Sequence, residues 1–68
     1  MQVEINGEAR TLPEPCSVAT LLGVLGLVAG KVAVEHNREI VIRSAYDQTF
    51  LADGDALEIV HFIGGGGQ

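Results

Sequence analysis

The sequence has few of the residue types on which most catalytic and metal sites depend. Its 68 residues include one cysteine, two histidines and no tryptophan. One cysteine excludes an intramolecular disulfide framework, and with only two histidines it cannot complete an ordinary structural zinc site. No Ser/His/Asp arrangement, Cys-x-x-Cys pair or phosphate-binding Gly-rich loop ending in Lys-Ser/Thr is recognisable. We therefore expect no catalytic residues, no metal and no bound cofactor.

Basic residues are also scarce, since four Lys and Arg stand against nine Asp and Glu, for a net charge of −5. This balance argues against nucleic acid and against an anionic membrane surface as partners. The longest uncharged run, residues 15–30, contains three glycines and is too short to span a bilayer. The N-terminus lacks a basic segment followed by an apolar one, so no targeting signal is expected. These features predict one small, reduced, cytoplasmic domain.

Alternation of apolar and polar residues predicts most of the secondary structure. Asn6-Gly7 predicts a tight hairpin turn, because both residues tolerate positive φ. Ser17 is a suitable N-cap for a helix of about nine residues, and Gly26 is a suitable stop. A short helical turn is expected at 44–47. The strands are expected at 1–5, 8–12, 31–35, 39–42 and 56–63, with a further short candidate at 49–51.

A helix on one face of a mixed sheet makes a two-layer α+β domain. In the last predicted strand, Leu57 and Ile59 would face the helix, so that Glu58, Val60 and Phe62 would face away. Val60 and Phe62 then form either a partner-binding surface or ordinary scattered apolar surface.

The individual reactive side chains favour structural roles. Cys16 lies just before the helix, where the helix dipole can lower a thiol pKa, but a small buried hydrophobe is the favoured interpretation. His36 and His61 are interpreted as structural or solvated. Asp53 and Asp55 flank a turn glycine and are interpreted as turn formers, because a metal loop needs more oxygen ligands at regular spacing.

Four consecutive glycines, Gly64 to Gly67, follow the last predicted strand. Such a segment is expected to be flexible, and its lack of side chains would let it thread a narrow channel in another protein. A glycine carboxylate at its end would become an acyl donor once ATP had adenylated it. We therefore divide the chain into a domain at 1–63 and a glycine tail at 64–68.

The chain resembles the ThiS sulfur carriers of thiamine biosynthesis. The resemblance lies in Met-Gln-Val-Glu-Ile-Asn-Gly at the start, in Val-Ala-Val-Glu-His-Asn-Arg-Glu-Ile-Val at 32–41, in Arg-Ser-Ala-Tyr at 43–46, and in Ala-Asp-Gly-Asp-Ala-Leu-Glu-Ile-Val-His-Phe-Ile-Gly-Gly-Gly at 52–66. It covers essentially the whole chain, and it implies a ubiquitin-like β-grasp fold.

The resemblance also implies a function as a protein cosubstrate rather than an enzyme. A ThiF-type enzyme would use ATP to adenylate the terminal glycine, and a cysteine desulfurase would supply sulfur for a thiocarboxylate. Thiazole synthase (ThiG) would then receive that sulfur. Gly66 or Gly67 would carry the acyl group, Gly64 and Gly65 would thread into the partner, and Val60, Phe62 and Ile63 would dock it.

The chain departs from the family pattern at two places. Family members end in Gly-Gly, whereas Gln68 follows Gly67 here, so either a protease removes Gln68 or this residue is foreign to the natural chain. Ile42 stands where the family often has Pro. Three alternatives stay open: a β-grasp carrier serving molybdopterin or cysteine, a ubiquitin-like protein modifier, and a non-covalent binding module.

Overall fold

The computed structural model of the chain describes residues 1–62. A five-stranded mixed sheet with the order β2-β1-β5-β3-β4 carries one α-helix on one face. The elements are β1 (Gln2–Ile5), β2 (Glu8–Thr11), α1 (Val18–Leu25), β3 (Val32–His36), β4 (Glu39–Val41) and β5 (Ala56–His61). The central strand β5 runs parallel to β1 and antiparallel to β3. The predicted two-layer α+β architecture is confirmed.

The first hairpin forms where the Asn-Gly pair predicts it. Asn6 and Gly7 take φ values of 52° and 85°, as a tight turn between antiparallel strands requires. The Asn6 side chain also accepts the Ile59 N–H at 2.8 Å and donates to the Ile59 carbonyl at 3.1 Å. This residue therefore both turns the hairpin and fastens it to the central strand.

Helix α1 begins and ends at the predicted residues. The Ser17 hydroxyl accepts the Thr20 N–H at 3.1 Å, which satisfies one of the free donors of the first turn. Gly26 ends the helix with a φ of 74°, a left-handed conformation that glycine adopts without steric cost. With eight residues, the helix is one residue shorter than expected.

The core lies between the helix and the sheet. Val18, Leu21 and Leu22 form the buried stripe of the helix. They belong to one buried cluster with side chains from the sheet and the loops, and the other members are Val3, Ile5, Leu12, Cys16, Val32, Val34, Tyr46, Leu51 and Leu57. A helix of two turns is marginal on its own, so this packing stabilises it.

The structure differs from the sequence prediction mainly at the ends of strands. Residues 49–51 do not form a strand, because Phe50 makes only an isolated bridge with Ser17. Strand β4 stops at Val41, since Ile42 leads into a 3-10 helix over Arg43–Ala45. The strand expected at 31–35 begins one residue later, because Lys31 belongs to a second 3-10 helix, Ala29–Lys31. The strand expected at 56–63 ends at His61.

Candidate functional site

The sheet face opposite α1, called the open face from here on, carries the two described residues that the sequence predicts to dock a partner. Along β5, Leu57 is 2% exposed and belongs to the core, whereas Val60 and Phe62 are 58% and 55% exposed. The predicted alternation of this strand is therefore confirmed. The Phe62 N–H donates to the Lys31 carbonyl at 2.8 Å, so Phe62 continues the ladder to the last described residue.

Two further apolar side chains on the open face were missed by the sequence analysis. Ile40 and Ile42 are 68% and 65% exposed. Ile40 pairs with Glu35, so it shares the side of the sheet that faces away from the core. Ile42 follows two residues later in extended backbone, on the same side. The alternation in Glu39-Ile40-Val41-Ile42 already carries this information.

The register brings these side chains into a row across three strands. Val60 on β5 pairs with Ala33 on β3. Val41, the last residue of β4, pairs with Val34, and Ile42 follows it in extended backbone on the Ala33 side of this pair. We call Ile42, Ala33, Val60 and Phe62 the apolar row. It lies at the end of β5 from which the chain continues into the glycine segment.

Three carboxylates lie next to the apolar row on the open face. Glu35 on β3 pairs directly with Glu58 on β5, and Glu4 lies on the neighbouring strand β1. We call Glu4, Glu35 and Glu58 the acidic row. These glutamates line a concavity of about 170 Å³, with Arg38 at its side. Within residues 1–62, no salt bridge of 4.0 Å or less involves any of the three.

The sequence predicts the glycine segment to be the reactive part of the chain. Gly66 and Gly67, the expected acyl sites, and Gly64 and Gly65, the expected threading residues, lie outside the described residues. Ile63, the third expected docking residue, lies outside them as well.

Cys16 is a buried structural residue, as the sequence analysis favoured. Its side chain is 1% exposed, and its Sγ lies 3.6 Å from the Ser17 carbonyl oxygen. Burial raises the pKa of the thiol, which disfavours the reactive thiolate.

Asp55 does more than form a turn. Its carboxylate lies 2.6 Å from His36 Nε2, accepts the Ala52 N–H at 2.8 Å and accepts the Asn37 side-chain amide at 3.1 Å. Burial by itself raises the pKa of Asp55, but these hydrogen bonds and the nearby imidazole together lower it below its ordinary value. The cluster joins the β3–β4 turn to the start of β5, so its role is structural. His36 is thereby confirmed as structural.

The remaining features of the described residues concern metal ligands, grooves and the length of the helix. Within residues 1–62, no group of three His, Cys, Asp or Glu side chains is placed to hold a metal ion. An open groove of about 490 Å³ lies between α1 and the Arg43–Asp47 segment, on the helix side of the molecule. In the same part of the chain, no helix has the length and hydropathy that crossing a membrane requires.

Comparison with known proteins agrees with this architecture. Residues 3–66 match the model of the ThiS family. Sulfur carrier protein ThiS of Bacillus subtilis is 35% identical over 65 residues, which are 94% of this chain and 98% of that protein. The crystal structure of a thiamine biosynthesis protein (ThiS) from Geobacter metallireducens superposes with a TM-score of 0.83 at 40% identity, covering 97% of this chain and 100% of that one.

Longer proteins contain a similar segment. A thiazole synthase from Paramagnetospirillum magneticum is 54% identical over 66 residues, which are 97% of this chain but 20% of that protein. A thiazole synthase from Magnetococcus marinus is 41% identical over 66 residues, again 20% of its length. The chain thus spans a fifth of the length of these two relatives.

One helix packed on a five-stranded mixed sheet, with the chain leaving a central strand toward a glycine segment, defines a ubiquitin-like β-grasp domain. Family and structure matches extend over nearly the whole chain. The chain belongs to the ThiS family.

Proposed function

We propose that this chain is a sulfur carrier for thiazole formation in thiamine biosynthesis. The observation that carries the proposal is the end-to-end similarity to sulfur carrier protein ThiS, which covers 98% of that protein. The presence of a similar segment in two proteins named thiazole synthase supports thiazole synthase as the sulfur acceptor.

The reactive group in this proposal is the carboxylate of Gly66 or Gly67. A carboxylate is a poor acyl donor because its oxygen is a poor leaving group. A ThiF-type enzyme attaches this oxygen to the α-phosphorus of ATP and releases pyrophosphate. A persulfide carried by a cysteine desulfurase then displaces AMP and forms an acyl disulfide. A thiol reductant cleaves the S–S bond of this acyl disulfide and leaves the thiocarboxylate. With Gln68 attached, Gly67 is held in a peptide bond, so the reaction requires removal of Gln68, alone or with Gly67.

The folded domain presents this glycine segment to the partner enzymes. Val60 and Phe62 are exposed at the end of the strand that leads into it. An apolar contact at these residues, extended by Ile63, positions the partner where the segment begins, and Gly64 and Gly65 then enter its active site. Glycines suit this step because they add no side-chain bulk to the channel.

The test compares chains with different ends. Chains that stop at Gly66, at Gly67 and at Gln68 are incubated with a ThiF-type enzyme, ATP, a cysteine desulfurase, cysteine and a thiol reductant. Intact mass spectrometry should show a gain of about 16 Da, sulfur for oxygen, in at least one of the glycine-ended chains and in no untrimmed chain. Transfer of this sulfur to thiazole synthase is then measured as thiazole product.

A chain that stops at residue 63 is the control for folding. It retains every buried residue of the described core, so it should unfold cooperatively and accept no sulfur. Sulfur uptake by this control would refute the assignment of the glycine segment. Sulfur uptake followed by delivery only to molybdopterin synthase, or attachment to lysines of other proteins, would refute thiazole formation as the destination.

A further inference from the structure

Several large apolar side chains are exposed together on the open face. Seven large hydrophobic side chains in residues 1–62 are strongly exposed, and four of them lie on this face: Ile40, Ile42, Val60 and Phe62. Contiguous exposed apolar surface is typical of interaction sites. Because the glycine segment starts two residues after Phe62, a partner that covers this surface lies close to the start of that segment.

The acidic row beside this apolar surface is unfavourable for the isolated protein. Glu35 and Glu58 are direct cross-strand partners, and like charges at such a pair destabilise a sheet. Glu4 adds a third carboxylate to the same concavity. The one cationic side chain among the described residues that line this concavity is Arg38, at its side. Within residues 1–62, Arg38 forms no salt bridge of 4.0 Å or less with a carboxylate. Local arrangements that cost stability occur chiefly at functional sites.

The chemistry of the face selects among possible occupants. A second copy of this chain would bring two acidic rows together at a net charge of −5 per chain. A metal ion is disfavoured, because no set of three ligands converges within residues 1–62. A protein surface with an apolar centre and flanking Lys or Arg side chains complements both rows at once.

We propose that the acidic row Glu4, Glu35 and Glu58 and the apolar row together form a docking surface for a partner enzyme. The acidic row binds Lys and Arg side chains at the rim of the enzyme's interface, and the apolar row packs against the centre of that interface. The inference rests on the proposed function for the class of partner, namely the ATP-dependent enzyme that activates the glycine end. It adds the feature by which that enzyme is recognised and steered. Complementary rim charges raise the association rate more than they slow dissociation.

The experiment measures association of the full chain with a purified ThiF-type enzyme at low and high salt. The double variant Glu35→Gln/Glu58→Gln should associate on the order of threefold to tenfold more slowly at low salt, and its rate should depend less on salt. Its dissociation rate should stay close to that of the unchanged chain. Glu8→Gln is the matched control, because Glu8 is exposed but pairs with Ile5, whose side chain faces the core.

A second readout separates recognition from folding. Removing the like-charge pair should raise the urea midpoint of the double variant, so slower association would occur in a more stable protein. Association as fast as that of the Glu8→Gln control would overturn the inference while leaving the proposed function intact. A dimer in sedimentation experiments that Glu35→Gln/Glu58→Gln strengthens would assign the face to a second copy and also overturn it. Absence of sulfur uptake by every glycine-ended chain would instead refute the proposed function, and this inference with it.

Discussion

Replacing Asp55 with asparagine should destabilise the domain more than its position in a surface turn suggests. The carboxylate receives three hydrogen bonds, from His36, the Ala52 N–H and Asn37. Its side chain is 14% exposed and that of His36 is 21% exposed, so solvent only partly replaces these contacts. The amide retains one acceptor oxygen but directs an NH₂ group at a donor. Because hydrogen bonds to charged groups contribute about 1.5–3 kcal/mol each, we expect a net loss of about 2 kcal/mol at pH 7.

The loss should depend on pH with a definite sign. The pKa of Asp55 is lower in the folded protein than its ordinary value of 3.8, so the native state binds fewer protons than the unfolded state as pH falls through this range. The stabilisation from Asp55 is therefore fully present above about pH 4 and is lost as pH falls through the lowered pKa. Below that value the wild-type carboxyl is protonated, and the difference from Asp55→Asn should shrink.

Urea denaturation at pH 7 and near pH 3, followed by circular dichroism, measures both effects. A small domain has a total stability of about 0.05–0.15 kcal/mol per residue, so a loss of about 2 kcal/mol shifts the midpoint clearly. Asp47→Asn removes the same charge at an exposed site and should change stability by less than about 0.5 kcal/mol. A double-mutant cycle with His36→Gln isolates the pairwise contact. A loss below about 0.5 kcal/mol for Asp55→Asn, or a difference that does not shrink at low pH, would refute the reasoning.

Three further experiments test the fold. Leu21→Ala should lower the free energy of unfolding, measured by urea denaturation, by about 3 kcal/mol because Leu21 is fully buried. Val24→Ala is the control, and it should change this free energy by less than about 1 kcal/mol because the Val24 side chain is 53% exposed. Similar losses at the two sites would contradict the packing of α1. Gly26→Ala should lower the melting temperature and reduce the free energy of unfolding by about 1 kcal/mol, because the Gly26 backbone is left-handed. Gly23→Ala, in the helix interior, should raise the melting temperature, because the added methyl group meets no atom within 4 Å and alanine favours a helix. Equal shifts would contradict the cap. Cys16 should react with a thiol reagent only as fast as the protein opens, because its side chain is buried and its pKa is raised. Fast labelling of the folded protein would contradict the burial of Cys16.

Local patterns were sufficient for the elements whose partners are close in sequence. The Asn6-Gly7 turn, the Ser17 cap and the Gly26 stop are set by the φ preferences and hydrogen-bonding groups of those residues. The alternation at 56–63 correctly separated Leu57 from Val60 and Phe62, because side chains in a strand alternate between faces whatever the strand pairs with. The resemblance to ThiS then supplied the fold family and the direction of the functional proposal.

Residues 49–51 show where such patterns fail. Thr49-Phe50-Leu51 has the composition of a strand, but a strand needs a neighbour with free hydrogen-bonding groups, and only Ser17 pairs with Phe50. Ile42 likewise continues an alternating run, yet the backbone turns there into a 3-10 helix.

The sequence by itself determined the turns, the helix ends, the faces of the strands and the glycine segment, because each depends on residues a few positions apart. Only the tertiary structure decided the strand order, the pairing of Glu35 with Glu58 and the contact of His36 with Asp55. It also decided that Ile40 and Ile42 lie on the same face of the sheet as Val60. These features join residues far apart in the chain, and such pairings follow from how the sheet and helix bury their common core rather than from any local preference.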